Sequence, residues 1–150
     1  MAEPPALYVD ADACPVKAEI LRVAERCGIL VYMVSGQGTR PTPHARVHHV
    51  VAGDGFDAAD DWIAARVQSG DIVVTADILL AKRCLERGAR VVAPTGRPFT
   101  TANIGSAIAM RALNADLRDM GAIAAGGRTF SKQDRSRFLN ALDAAIHARR

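Results

Sequence analysis

Four aspartates, spread over three separated segments, have the type and spacing to do chemistry. Asp10 and Asp12 stand in "LYVDADACPVKAEI", where an apolar run stops and a helix-like pattern starts. Two carboxylates held that close repel each other and lose hydration, a cost that a cation between them removes. Asp12 could instead cap the helix. Proline favours the first helical position, however, so Pro15 makes Cys14 the expected cap and leaves Asp12 two residues early. In "GFDAADDWIAARV", Asp57 suits an N-cap. At about 100° per residue, Phe56, Ala59, Ile63 and Val67 gather on one side, with Asp60 on its flank and Asp61 pointing nearly away. Asp77, in "VVTADILLA", also suits an N-cap when taken alone. Taken together, Asp10, Asp12, Asp60 and Asp77 read as the catalytic and metal-ligating set. Hard oxygen ligands, with no evident Cys/His cluster, favour Mg²⁺ or Mn²⁺ over zinc.

Charge adds a partner class to that chemistry. The net charge is +3, yet residues 1 to 75 carry 6 basic and 10 acidic side chains, whereas residues 76 to 150 carry 13 and 6. An acidic site beside a basic surface suits a metal-dependent enzyme acting on a polyanion. Lys82, Arg111, Arg128, Lys132 and Arg135 are the candidates for backbone contacts without base specificity. Thr75 could position a metal-bound water, although a strand threonine is more often packing. A solvated basic helix face explains the same charges without any ligand.

Other chemistries are tested by spacing. A cysteine phosphatase built on Cys14 would need an arginine six positions on, where Ile20 stands. No G-x-x-x-x-G-K-[ST] loop exists, and Gly36 and Gly38 do not continue into G-x-G-x-x-G. The rival with most support is a D-x-D phosphatase in which Asp10 attacks phosphorus and Asp12 acts as general acid or base. That pattern expects threonine or valine where Cys14 stands and a paired acidic motif late in the chain, where only Asp77 is available. Ser35 after the second strand keeps it in play.

Elements must bring these residues together. "ALYVD", "ILVYMVS", "RVHHVVA", "IVVTA" and "RVVA" read as strands, the last followed by a loop "PTGRPFT". Helical spacing covers Val16 to Cys27 with Gly28 as the stop, Asp57 to Gln68, Asp77 to about Arg87 with Gly88 as the stop, and Ala102 to Met120. A final helix starts at Ser131, with Ser131 and Asp134 at capping-box spacing and Phe138, Leu139, Leu142 and Ile146 turned inward. Alternating strands and helices with doubly apolar strands predict an α/β class, as one three-layer domain over residues 1 to 150. Its mostly parallel central sheet has about five strands. In such sheets ligands bind beyond the carboxyl ends of the strands, where Asp10, Asp12 and Asp77 fall.

With 150 residues, 49% hydrophobic and 23% charged, the chain can bury a core unaided. No apolar run approaches the roughly 20 residues of a membrane span, and "MAEPPA" does not resemble a secretory signal. Cys14, Cys27 and Cys84 are odd in number and far apart, which fits reduced thiols in a cytoplasm. His48 and His49 are adjacent in a strand and point to opposite faces, so they make no metal pair. Aromatic residues are only 5% of the chain, so a base-stacking platform is not evident. Homo-oligomerisation is compatible with the sequence and not specified by it.

The ordered motifs "VDADACPVKAEI", "GFDAADDWI", "GDIVVTADILLA" and "GGRTFSKQDRSRFLNAL" closely resemble the bacterial YaiI/YqxD family over almost the whole chain. That family brings no established reaction. Its members are regarded as PIN-like, related to metal-dependent ribonucleases with acidic residues at the edge of a parallel sheet. The resemblance maps onto Asp10, Asp60 and Asp77, with Asp12 belonging to the YaiI/YqxD pattern. PIN nucleases usually carry a glutamate on the helix and a further acid after the following strand. Here "PTGRPFT" has no acid, leaving Asn103 as the residue to approach the site. The resemblance therefore implies a Mg²⁺- or Mn²⁺-dependent ribonuclease. A non-catalytic RNA-binding or assembly module that keeps the acidic pocket is a third reading.

Overall fold

The computed structural model describes residues 5–12, 14–36, 45–55, 57–119 and 130–148. Strand β1 (Leu7–Asp10) leads into helix α1 (Lys17–Cys27), then β2 (Val31–Ser35), β3 (Val47–Val51) and α2 (Ala58–Arg66). The chain continues through β4 (Ile72–Val74), α3 (Ile78–Glu86), β5 (Arg90–Val92), β6 (Pro98–Phe99), α4 (Ile104–Asp119) and α5 (Lys132–His147). One sheet runs in the order β3-β2-β1-β4-β5-β6, parallel except for β6.

The β-branched runs of the central strands are apolar on both faces because both faces are covered. Leu7, Val9, Val31, Met33, Ile72 and Val74 pack with Ile20 and Val23 of α1 and Phe138 and Leu142 of α5. Tyr8, Val34, Val73 and Val91 pack on the opposite side with Ile63 of α2, Leu80 and Cys84 of α3 and Ala107 of α4. The result is the expected three-layer α/β arrangement, consistent with a PIN-like domain. No described helix is long and apolar enough to cross a membrane.

Local signals account for most boundaries. Gly28 closes α1 in the left-handed region at φ 68°, its N–H bonding to the Ala24 carbonyl. Ser131 and Asp134 form the expected capping box, with Asp134 Oδ2 accepting from the Ser131 N–H at 2.9 Å and Ser131 Oγ accepting from the Asp134 N–H at 3.1 Å.

Three expectations change. Helix α1 begins at Lys17, with Val16 at the cap position and no side-chain cap bond, so neither Cys14 nor Pro15 starts it. Pro15 lies in the preceding turn instead. "PTGRPFT" is not wholly loop: Ala93 and Arg97 close a tight turn at 2.8 Å that folds Pro98–Phe99 back as a sixth, antiparallel strand. Two residues are too short for a periodic pattern, and proline suits an edge. Helix α4 starts at Ile104 rather than Ala102, because Thr100 and Asn103 exchange bonds that build the turn before it.

The turn after β5 places Gly96 against α5. Gly96 has φ 90°, and a Cβ there would lie 2.5 Å from the Arg137 carbonyl carbon. We therefore expect Gly96→Ala to cost about 2 kcal/mol or more, since the strained φ adds to the backbone clash. Urea unfolding of the variant beside the parent measures it.

Candidate functional site

Strands β1 and β4 are neighbours at the centre of the sheet, and the connections leave them toward opposite edges: β2 and β3 on one side, β5 and β6 on the other. A crevice opens at the carboxyl ends of such a pair. Asp10 ends β1, and Thr75 follows β4 directly. The Thr75 side chain is 1% exposed. Its hydroxyl donates to Asp10 Oδ2 at 3.0 Å and accepts the Asp77 N–H at 3.0 Å. Thr75 thus works through Asp10 and Asp77, and its contacts explain why a strand threonine, which packing alone would not require, stands at this place.

Asp77 is the N-cap of α3, its Oδ1 accepting the N–H groups of Leu79 at 2.9 Å and Leu80 at 3.2 Å. Its carboxyl also faces that of Asp60, reached from the first turn of α2, and the two can share a hydrogen bond when Asp60 is protonated. The cap role and the convergence are therefore both real. Burial pushes the Asp60 carboxyl up to about 7, reinforced by the charges of Asp77 and Asp10, by the bond to Asp77 and by the charge of Asp57. Asp10 is also raised from the ordinary carboxylate range, mainly by burial, with Asp12 and Asp77 adding to the shift and the Thr75 hydroxyl opposing it. Asp12 is exposed at the mouth, where its Oδ2 accepts the Gly36 N–H at 3.1 Å. That bond ties the loop after β1 to the end of β2.

Asp77 and Asp10 add to the rise of Asp60, and a cluster of this kind has the hard oxygens and the charge that a divalent cation neutralises. Among the described residues, no three of these aspartates bring ligand oxygens within 4.8 Å of one another.

The remaining expected residues divide. Asp61 points away, as the helical wheel predicts, and pairs with Arg83 at 2.8 Å. Asp57 occupies the N-cap position, but at φ 64° and without a side-chain cap bond, so the expected capping role is not realised. Phe56 lies outside the described residues. Burial raises the Cys14 thiol, which agrees with an inert side chain. Arg135 donates to the Pro15 carbonyl at 2.8 Å, meets Glu19 at 3.3 Å and lies over the Phe130 ring. It therefore fastens α5 to α1. Lys82 is 4.0 Å from Glu86 on α3. Arg111 is exposed on α4, and Lys132 shares a shallow surface pocket with Arg137 at the start of α5. Arg128 lies outside the described residues.

Asn103 does not approach the corner. It bonds Thr100 and the Pro98 carbonyl. Because β6 runs antiparallel to β5, it carries the chain back to the opposite edge of the sheet before α4 begins. A cavity of about 600 Å³ also lies away from the carboxylates, between β5, β6 and the alanines of α5.

Tyr8, Tyr32 and His48 are register partners on β1, β2 and β3, and their rings stack at 5.0 Å and 5.5 Å. Trp62 leans on both tyrosines at 6.2 Å and 5.9 Å, and the Arg66 guanidinium lies 4.2 Å above its ring. Tyr8 shares a strand face with Asp10, two residues on, and Trp62 follows Asp60 by two on α2. Composition could not reveal the row, because it exists only in register; aligning the three strands would have.

Fold and site together define a doubly wound α/β protein with an acidic corner at its topological switch point. The chain belongs to the YaiI/YqxD family: the family model described as "Uncharacterized BCR, YaiI/YqxD family" matches residues 8–148. It is 56% identical over 143 residues to a UPF0178 protein of Rhodopseudomonas palustris (strain BisB5), covering 95% of this chain and 87% of the relative. A UPF0178 protein of Rhodospirillum centenum is 56% identical over 146 residues, covering 95% of each. One of Azorhizobium caulinodans is 56% identical over 144 residues, covering 96% of this chain and 91% of the relative. No solved structure matches the chain significantly.

The raised Asp60 carboxyl has a consequence for stability. Folding lifts it from 3.8 to about 7, so the folded protein binds the extra proton between those values and loses stability as pH rises through them. Asp60→Asn removes that penalty. Without divalent metal, the variant should gain on the order of 1 kcal/mol at about pH 8, after allowance for solvent screening, or about 3 °C in Tm. At about pH 4 the gain should vanish, because the parent carboxyl is then protonated when folded and half protonated when unfolded. Thermal scans at the two pH values, with chelator present, test this.

Proposed function

We propose that the protein is a Mg²⁺- or Mn²⁺-dependent phosphodiesterase acting on single-stranded RNA. The observation that carries this reading is the meeting of Asp10, Asp60 and Asp77 at the switch point, with Asp12 at its mouth. These four residues would hold the ion, Asp77 while capping α3 and Asp10 while held by Thr75. A bound divalent ion supplies an activated water and neutralises charge on the scissile phosphate. Thr75 ties Asp10 to the start of α3 with one hydroxyl, which holds both in place before substrate arrives.

The ring row supports a polynucleotide over a small phosphomonoester. His48 ends the stack on the edge strand and is exposed, so a base can extend the stack while the strand's phosphates run toward Asp10 on the same face. Exposed Lys82, Arg111 and Lys132 add positive charge for backbone contacts. The three thiols, none in a disulfide, suit a reducing cytoplasm. The wide spacing of the aspartate oxygens favours the second reading, an RNA-binding module without turnover.

Asp10→Asn and Asp77→Asn should each lower metal-dependent cleavage of a labelled single-stranded RNA about 100-fold or more. Asparagine is as good an N-cap as aspartate, so Asp77→Asn keeps α3 and the fold. Undiminished cleavage by both variants would sink the nuclease reading, and RNA binding without cleavage by the parent would leave the module. Separately, His48→Ala should weaken RNA binding by about 1 kcal/mol while hydrolysis of a small phosphodiester that lacks bases is unchanged. Equal loss on both substrates would remove the stacking role.

A further inference from the structure

A second group of donors lies where α1 and α5 end. Cys27 is the last residue of α1, and Asp143 and His147 sit four apart on α5, His147 being its last residue. The Cys27 sulfur, a carboxylate oxygen of Asp143 and a ring nitrogen of His147 all lie within 4.8 Å of one another. No local spacing pairs these donors, since Cys27 is far from Asp143 and His147 along the chain; the packing of the two helices brings them together.

The helices are parallel. Arg135 meets Pro15 and Glu19 at their starts, and Arg26 meets Asp143 near their ends. Two helix C-termini therefore converge on the cluster, each with partial negative charge on its last carbonyls. A cation is favoured there. Arg26 Nη2 already contributes one at 2.7 Å from Asp143 Oδ1, and His147 Nδ1 lies 2.8 Å from the Asp143 carbonyl oxygen and 3.5 Å from its Oδ1. Both ion-pair side chains are largely exposed, with 62% and 46% of their surfaces accessible, so the pair is weak and readily shared.

We propose that Cys27, Asp143 and His147 form a site for a borderline divalent ion, Zn²⁺ in the first place, with water completing a tetrahedral set. One sulfur, one nitrogen and one oxygen are the donors such an ion takes, whereas Mg²⁺ and Mn²⁺ prefer oxygen alone. Binding releases the thiol proton to solvent and joins the end of α5 to the end of α1. The ion stabilises the fold because the unfolded chain does not hold the three donors together. This site is separate from the acidic corner and does not depend on any activity there.

The test uses Co²⁺ as a spectroscopic substitute, titrated into the reduced full chain. A thiolate-to-cobalt charge-transfer band with tetrahedral ligand-field bands should develop at one equivalent, be removed by Zn²⁺ and resist excess Mg²⁺. Cys27→Ser should abolish the charge-transfer band, and His147→Gln should weaken Co²⁺ binding about tenfold or more. Cys14→Ser should leave the spectrum unchanged, which matters because Cys14 is the thiol next to the acidic corner. Unfolding in chelator checks that the variants fold. No charge-transfer band in the parent, or a band that survives Cys27→Ser or is lost with Cys14→Ser, would overturn the proposal.

Discussion

Because β1 and β4 lie side by side while their following connections part in opposite directions, the sheet cannot close over its own carboxyl edge at that point. The acidic corner depends on this constraint, and one hydroxyl ties it together. Thr75 is buried and uses its donor on Asp10 and an acceptor pair on the Asp77 N–H. A valine would pack as well and would leave a half-buried carboxylate without its partner and an amide at the helix start without its acceptor. Desolvation and the neighbouring carboxylate charges raise Asp10 and Asp60, so the corner is costly to the fold in its ionised state. Charge concentrated at the expense of stability is what a ligand of opposite sign repays.

The same parallel topology accounts for the two other features of interest. Parallel register sets Tyr8, Tyr32 and His48 opposite one another, so three unremarkable strand residues become a stack that ends on the sheet edge. Packing α1 and α5 parallel on the other face puts their C-termini together, which gathers Cys27, Asp143 and His147. Hard and soft donor sets thus lie in different places, one at the carboxyl edge and the other where two helices end.

Much of this architecture was legible in the chain itself. Apolar β-branched runs alternating with helical spacing specify buried parallel strands, and Gly28, Ser131 and Asp134 mark helix ends by local chemistry that needs no tertiary partner. Asp10, Asp60 and Asp77 were legible too, because carboxylates at strand ends and first helical turns fall on one predictable edge. What depended on contacts across the chain was not. Arg135 read as a phosphate ligand and proves to be a fastener, since its partners Pro15 and Glu19 are far away in sequence. Asn103 read as a neighbour of the site and lies at the other edge, since a two-residue antiparallel strand reverses the chain.

Sequence alone thus determined the class of fold, the edge that carries the carboxylates and the family, because periodicity and capping act over a few residues. Only the tertiary structure decided which groups touch: the Thr75 bridge, the Asp60–Asp77 pairing, the aromatic row and the Cys27 cluster. Each of these is set by strand register or helix packing, interactions between residues distant in the chain whose geometry no local pattern contains.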